Sequence, residues 1–185
     1  MGKLITLKTP RLIVRQGRQA DIPAIVAFHK KNKWYHRPFE PTRPRTFYTN
    51  AFWRNALRRD RGLKFFLFPK ESSRIIGLIS FSNMIQGPFQ STDLGYMLDK
   101  EFQGQGLMTE SLRATIQFVF KELNFHRVAA GYLPKNNRSA RVLKRLGFKR
   151  YGKERAYLQI EGRWQDHILV SFINPHWKPT KSKDN

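Results

Sequence analysis

Apolar positions along the chain fall into two kinds of period. Leu12–Gln16 alternates like a strand with one buried face. Asp21 and Pro23 then open a helix that carries Ile22, Ile25, Val26 and His29 on one face. Lys30–Arg45 breaks the period with Pro38, Pro41 and Pro44 and reads as an ordered loop whose aromatic residues need packing partners. Phe47–Arg59 is helical again. Lys64–Phe68 and Ile75–Phe81 form two strands of a hairpin, and Asp93–Leu98 is a further strand. Glu110–Leu123 is the clearest helix, with Leu112, Ile116, Val119, Phe120 and Leu123 in one stripe. Arg127–Tyr132 is a strand and Ser139–Leu146 a short helix stopped by Gly147. Strands over Tyr151–Ile160 and Trp164–Ile173 flank a tight turn at Glu161-Gly162. From Pro175 on, the pattern predicts fraying. The order predicts a mixed α/β (α+β) fold, one domain over 1–178, and a flexible basic tail at 179–185.

Composition narrows this picture. At 185 residues, 40% hydrophobic, the chain can bury a core and is no disordered segment. It has no cysteine, which removes disulfides, thiolate metal sites and cysteine nucleophiles. Its five histidines show no metal-ligand spacing, so no metal is expected. No apolar run nears the ~18 residues of a membrane span, and Met1–Pro10 has no signal-peptide core. The expectation is a cytoplasmic protein without membrane contact, either a monomer or a homodimer. A formal net charge of +22 points to polyanionic partners such as nucleic acid, the ribosome or a phosphate-rich cofactor. A basic surface that serves solubility alone is the plainer alternative.

The segment Leu94–Glu110 carries the chemistry. It reads as strand, then Gln103-Gly-Gln-Gly106, then amphipathic helix. Gly104 and Gly106 let backbone amides converge without a Cβ in the way, and the helix start adds unpaired N–H groups and a dipole. That makes a phosphate cradle, although a bare Gly-x-Gly is as often a structural turn. It is neither a Walker loop nor a dinucleotide fingerprint. Asn136 with Ser139 opens the next helix, either as its cap or facing a ligand between the two strands.

These residues carry a resemblance. Gln103–Gly106 resembles the acetyl-CoA pyrophosphate loop of the GNAT N-acetyltransferases, and Asn136 through Ser139 to Leu146-Gly-Phe148 is similar to the second CoA-side motif of that superfamily. The nearest type is that of the RimJ-like ribosomal-protein alanine N-acetyltransferases. Matching stretches include Thr9-Pro-Arg-Leu12, Phe39-Glu-Pro41, Leu94-Gly-Tyr96 and Gly162-x-Trp-x-Asp-His167. One departure is Met108, where the superfamily loop usually has Gly or Ala.

The resemblance implies a twisted sheet splayed between two parallel strands, Asp93–Leu98 and Arg127–Tyr132, flanked by helices. Acetyl-CoA would lie in the gap against the backbone of Tyr96, Met97 and Leu98. Its pyrophosphate would meet the amides of Gln103, Gly104, Gly106 and Met108, with Gln105, Leu107 and Thr109 in the same cofactor-binding loop and Asn136 and Ser139 alongside. Arg138 and Arg141 would lie near the 3′-phosphate and adenine, or else be solvated helix charges. Ser139 is the first candidate proton donor and Tyr157 the second. A backbone amide at Met97 or Leu98 would meet the developing oxyanion. Trp34, Tyr35, Phe39 and Glu40 would cover the acceptor, or else be core aromatics with a surface carboxylate. Related enzymes place a carboxylate base where Leu158 stands here. Glu161, Asp93, Asp166 and His167 remain as weaker bases; Asp166 and His167, adjacent on a strand, point to opposite faces.

The implied activity is acetyl transfer by direct attack in a ternary complex, onto the N-terminal α-amine of a protein beginning with Ala or Ser, such as a ribosomal protein. Without a strong base an α-amine is the easier acceptor. Its pKa of ~7.8, against ~10.4 for lysine, lowers the deprotonation cost by about 3.5 kcal/mol. The alternatives are a small-amine or antibiotic acetyltransferase, and a non-catalytic module that binds RNA or the ribosome through basic and aromatic residues at 29–66.

Overall fold

The computed structural model describes residues 4–59 and 62–179, so the expected tail at 179–185 lies outside the described residues except for residue 179. Eight strands form one mixed sheet: β1 (Thr6–Lys8), β2 (Leu12–Gln16), β3 (Leu63–Pro69), β4 (Gly77–Ile85), β5 (Ser91–Leu98), β6 (Arg127–Tyr132), β7 (Lys149–Ile160) and β8 (Arg163–Ile173). Their order is β1-β2-β3-β4-β5-β6-β8-β7. The helices are α1 (Ile22–His36), α2 (Asn50–Arg59), α3 (Leu107–Lys121) and α4 (Asn137–Arg145). The mixed α/β expectation holds.

The two sheet faces bury separate clusters. Phe65 and Leu67 join Val14, Ile79, Leu112, Ile116 and Val119 beneath α3. Phe66 and Phe68 join Ile22, Ile25, Phe28 and Trp53 beneath α1 and α2. That is why 65–68 is a continuous apolar run, as a strand covered on both sides must be. Glu161 and Gly162 both have positive φ, 50° and 76°, as the tight turn between β7 and β8 requires.

Several boundaries move. α1 does not stop at Lys30 but continues to His36, so Trp34 and Tyr35 are helical rather than in a loop. Nothing between Lys30 and His36 breaks a helix; the breaker is Pro38, which lacks the N–H that a further turn would use. Asn32, buried in this extension, accepts the amide of Lys100 at 3.1 Å. α3 starts at Leu107, three residues before Glu110, because Gly106 supplies the left-handed N-cap (φ 77°). The three-residue β1 is too short to show a period. Residues 175–178 are tied down rather than frayed. Asn124 Nδ2 donates to the Lys178 carbonyl at 2.8 Å, and the Trp177 ring packs edge-on to His126.

β5 and β6 determine the site. They pair in parallel only at Ser91–Arg127, Thr92–Val128 and Asp93–Ala129. Beyond these positions β5 stays with β4 and β6 stays with β8, and the two part. Asp99 N–H bonds the Ile76 carbonyl at 2.7 Å, which fixes the phase of the β4–β5 ladder. Met97 therefore faces Leu78 with its backbone groups, while those of Tyr96 and Leu98 turn into the gap.

Phe65 is fully buried where β2, β3, β4 and α3 meet. Phe65→Ala is expected to lower unfolding stability by about 3–5 kcal/mol in urea titration, with an unchanged m-value.

Candidate functional site

The gap between β5 and β6 opens into a cavity of about 640 Å³, within the range of ligand sites. Gly104 and Gly106 sit at its rim with φ of 78° and 77°. A Cβ on Gly104 would meet nothing within 4 Å, so backbone conformation alone demands glycine there. The first turn of α3 presents the amides of Leu107, Met108 and Thr109, which have no partner within the helix. The Leu107 and Met108 side chains are buried in the core. Met108 thus offers a possible ligand only its backbone, so the departure from Gly or Ala leaves the loop surface unchanged.

Two carboxylates brace this loop, Glu110 half-buried and Asp99 buried. Glu110 accepts Thr9 Oγ1 at 2.6 Å, Arg11 N at 2.9 Å and Arg11 Nε at 2.8 Å. Arg11 in turn donates to the Gln105 carbonyl at 2.9 Å. Burial pushes the Glu110 carboxyl up, but the bonds from Thr9 and Arg11 outweigh it and hold it below its ordinary value. On the other flank Asp99, 1% exposed, accepts Arg74 at 2.7 Å, Lys31 at 3.1 Å and the Glu101 amide at 3.1 Å. Burial again raises and these partners lower its pKa, and the lowering wins.

The walls bring most of the expected residues together. Tyr96, Met97, Leu98, Gln103, Asn136, Arg138, Ser139 and Arg141 all line the cavity, as do Phe39 and Glu40. Tyr96 Oη and Ser139 Oγ are 2.7 Å apart. Burial pushes the Tyr96 phenol well up, so it stays protonated at neutral pH. Asn136 caps α4, its Oδ1 accepting Ser139 N at 3.1 Å. Tyr35 donates to Gln103 Oε1 at 2.7 Å and accepts from Arg138, which also reaches Gln103 Oε1 at 3.1 Å. This cluster links α1, the glycine loop and α4.

Other expected residues lie elsewhere. Trp34 is 68% exposed and off the cavity, its ring flanked by Lys33 at 5.3 Å and Arg37 at 5.2 Å. Gln105 faces out. Tyr157, 47% exposed, stands beside Gly131 rather than in the cavity wall, its ring tilted against His167 at 5.2 Å. Asp166 is held off the cavity by Lys153 at 2.9 Å and the Ala156 amide at 3.1 Å, while His167 is buried and does line the cavity wall. The two do not work as a pair.

At the end of the cavity near α1, Glu40 has a buried Oε2 with no hydrogen bond; its nearest cation, Arg43, is at 3.6 Å. Burial raises the Glu40 pKa, and Arg43 partly offsets this. His36 lines the same wall with a buried Nε2 that also lacks a partner, and burial lowers its pKa. Tyr35, expected over the acceptor, lines the cavity, and His36, Arg43 and Arg145 are cavity residues that sequence reading did not select. The missed signal was the uninterrupted helix up to Pro38, which carries Tyr35 and His36 to the rim.

Comparison with known proteins follows the same lines. Residues 11–149 match the acetyltransferase (GNAT) domain family. The chain is 34% identical over 182 residues to the [ribosomal protein uS5]-alanine N-acetyltransferase of Escherichia coli K12, covering 95% of this chain and 94% of that one. Among solved structures, the ribosomal-protein-S5-alanine acetyltransferase of Vibrio fischeri superposes with a TM-score of 0.90 at 36% identity, over 95% of this chain and 100% of that one. RimJ of Mycobacterium smegmatis in complex with CoA-disulfide gives 0.81 at 25% identity, over 92% and 86%.

Asp99 yields a pH prediction. Its folded pKa lies below the ordinary 3.8, so its stabilisation is complete above pH ~5 and is lost as pH falls through the folded value. Asp99→Asn is expected to cost about 2 kcal/mol at pH 7, discounted for the half-exposed Lys31 and Arg74, and to flatten the fall in melting temperature between pH 5 and pH 3. Thermal melts across that range check both.

Proposed function

The chain belongs to the GNAT acetyltransferase family and is an acetyl-CoA-dependent N-acetyltransferase; from that premise we propose that its acceptor is the N-terminal α-amine of a ribosomal protein beginning with Ala or Ser. One observation carries the reading. The cavity has a glycine loop at its rim, the backbone of Tyr96 and Leu98 turned into its gap, and at one end the Glu40 carboxylate, whose Oε2 makes no hydrogen bond and meets Arg43 at 3.6 Å.

The residues present fit the cosubstrate. Pantetheine, an amide chain, can add as a pseudo-strand to Tyr96 and Leu98, whose backbone groups face the gap. Gln103, Gly104, Gly106 and the amides of Leu107, Met108 and Thr109 would hold the pyrophosphate, with Gln105 at the loop's outer side. Asn136, Arg138 and Arg141 would flank it, and Arg138 would exchange its bond to Gln103 for phosphate. Acetyl-CoA supplies an activated thioester.

The chain's own groups then have defined tasks. Leu98 N–H, not that of Met97, faces the gap and would meet the charge that builds on the acyl oxygen. Ser139 would deliver a proton to the departing sulfur, and Tyr96, protonated and 2.7 Å away, would orient or replenish it. Tyr157 stands too far out to be the first choice. Glu40 would hold the incoming ammonium, with Phe39 beside it and Trp34 outside the entrance. As neutral imidazole, His36 can accept the proton the amine sheds, directly or through water. A weak base of this kind suits an α-amine rather than a lysine. A single carboxylate oxygen at the acceptor end, beneath a strongly basic surface, suits a monocation better than a polycationic antibiotic.

The test is thiol release from acetyl-CoA with short lysine-containing peptides that start with Ala, Ser or Met, each with a free or blocked α-amine. Release with free Ala and Ser termini only is expected; release with blocked peptides would move the acceptor to lysine. Ser139→Ala is expected to lower kcat by ~100-fold with little change in the KM for acetyl-CoA. Glu40→Gln is expected to raise the peptide KM by ~10-fold while leaving acetyl-CoA binding unchanged.

A further inference from the structure

Residues 135–155 contain nine Lys and Arg and one acid, Glu154, so a net +8 of the chain's +22 falls in 21 residues. They form α4 and the first half of β7, which is the edge strand of the sheet. Arg138, Arg141 and Arg145 line the cavity, but Lys144, Lys149, Arg150 and Arg155 do not. These four are exposed, and no described carboxylate lies within ion-pair distance of them. Among them stands Tyr151, 54% exposed, with the Arg127 guanidinium 4.7 Å over its ring.

By contrast, in the region 29–66 singled out from sequence, four of the nine Phe, Trp and Tyr residues are buried and two, Trp34 and Phe39, are exposed. Phe47, Trp53, Phe65 and Phe66 are buried, and Lys31, Arg37 and Arg43 are in ion pairs.

We propose that the rim formed by α4 and β7 docks RNA, with Lys144, Lys149, Arg150 and Arg155 on phosphates and Tyr151 as a stacking platform. The inference goes beyond the acetyl-transfer reading and stands whether or not that reading holds. Charge complementarity selects a polyanion. The exposed aromatic among the cations selects one with π-faces, which an acidic protein segment lacks. A membrane surface fits poorly, because the apolar side chains of α4, Val142, Leu143 and Leu146, are packed into the core and none is left to insert. Cations on an edge strand also block edge-to-edge pairing, but that role needs neither the charge on α4 nor Tyr151.

The test uses the full chain and a fluorescein-labelled 16-nucleotide single-stranded RNA, with anisotropy read between 50 and 200 mM KCl. The wild type is expected to bind with steep salt dependence. Replacing Lys144, Lys149, Arg150 and Arg155 together by Ala is expected to weaken binding at least tenfold and to reduce the log–log salt slope by about 3. The matching control replaces Arg54, Arg58, Arg113 and Lys121 on α2 and α3, an equal loss of charge elsewhere, and is expected to change affinity less than threefold. Tyr151→Ala is expected to cost at least fivefold on RNA and nothing on poly-glutamate. Equal losses in the two quadruple variants would overturn the proposal, as would poly-glutamate binding as tight as RNA or no RNA binding by the wild type. Thermal melts of each variant keep unfolding separate from lost contact.

Discussion

Everything at the site depends on β5 and β6 being parallel partners for only three residue pairs. Had the pairing run on, Tyr96 and Leu98 would spend their backbone groups on β6 and there would be no cavity. The separation is affordable because each strand has another partner: β5 keeps its ladder to β4, and β6 keeps its ladder to β8. Unpaired backbone groups in a protein interior are costly unless something else bonds them. A polar ligand with amide groups along its length resolves that cost, which ties the shape of the sheet directly to the kind of molecule it takes.

A splayed sheet needs external bracing at its open end. Here the bracing is polar rather than apolar. Asp99 fastens the end of β5 to α1 through Lys31 and to the approach to β4 through Arg74. Glu110 fastens the start of α3 to the β1–β2 turn through Thr9 and Arg11, and Arg11 passes the restraint on to Gln105. Directional bonds suit this task, because the loop between the two carboxylates must keep its amides pointed outward. A glycine loop packed only by apolar contacts would have nothing to fix that orientation. The same argument accounts for Tyr35, Gln103 and Arg138, which bridge α1, the loop and α4 across the cavity mouth.

How much of this the sequence carried depends on the range of the interaction. The stripe of Leu112, Ile116 and Val119, the strand at 64–68 and the Glu161-Gly162 turn are local patterns, and they were legible. Gly104 and Gly106 were legible too, because their positive φ is a local demand. The length of α1 was misread, because three prolines near 40 outweighed seven residues that have no helix breaker. The 2.7 Å pair of Tyr96 and Ser139 joins residues 43 positions apart on a strand and a helix, and no spacing rule announces it. The same holds for Arg43 and His36, whose roles come from facing a cavity that exists only once the sheet has parted. Family resemblance reached Ser139 and the loop because these sit within contiguous motifs; it could not reach contacts made between motifs.

The distribution of charge follows from the scaffold as well. Asp21, Asp99, Glu101, Glu110 and Asp166 are all engaged in holding elements together, each with a cation or an amide as partner. That leaves few carboxylates to balance the remaining lysines and arginines, and the excess is densest over residues 135–155, on α4 and β7. Glu40 differs, because its Oε2 lies inside the cavity without a hydrogen bond, facing Arg43 at 3.6 Å. In a chain of net +22 such a group stands against the prevailing field. A structural role alone would favour an amide or an apolar side chain at that position, since burial already raises the cost of its charge. On the function proposed above, a cation that arrives with the substrate would complete this site, where Arg43 stands at 3.6 Å.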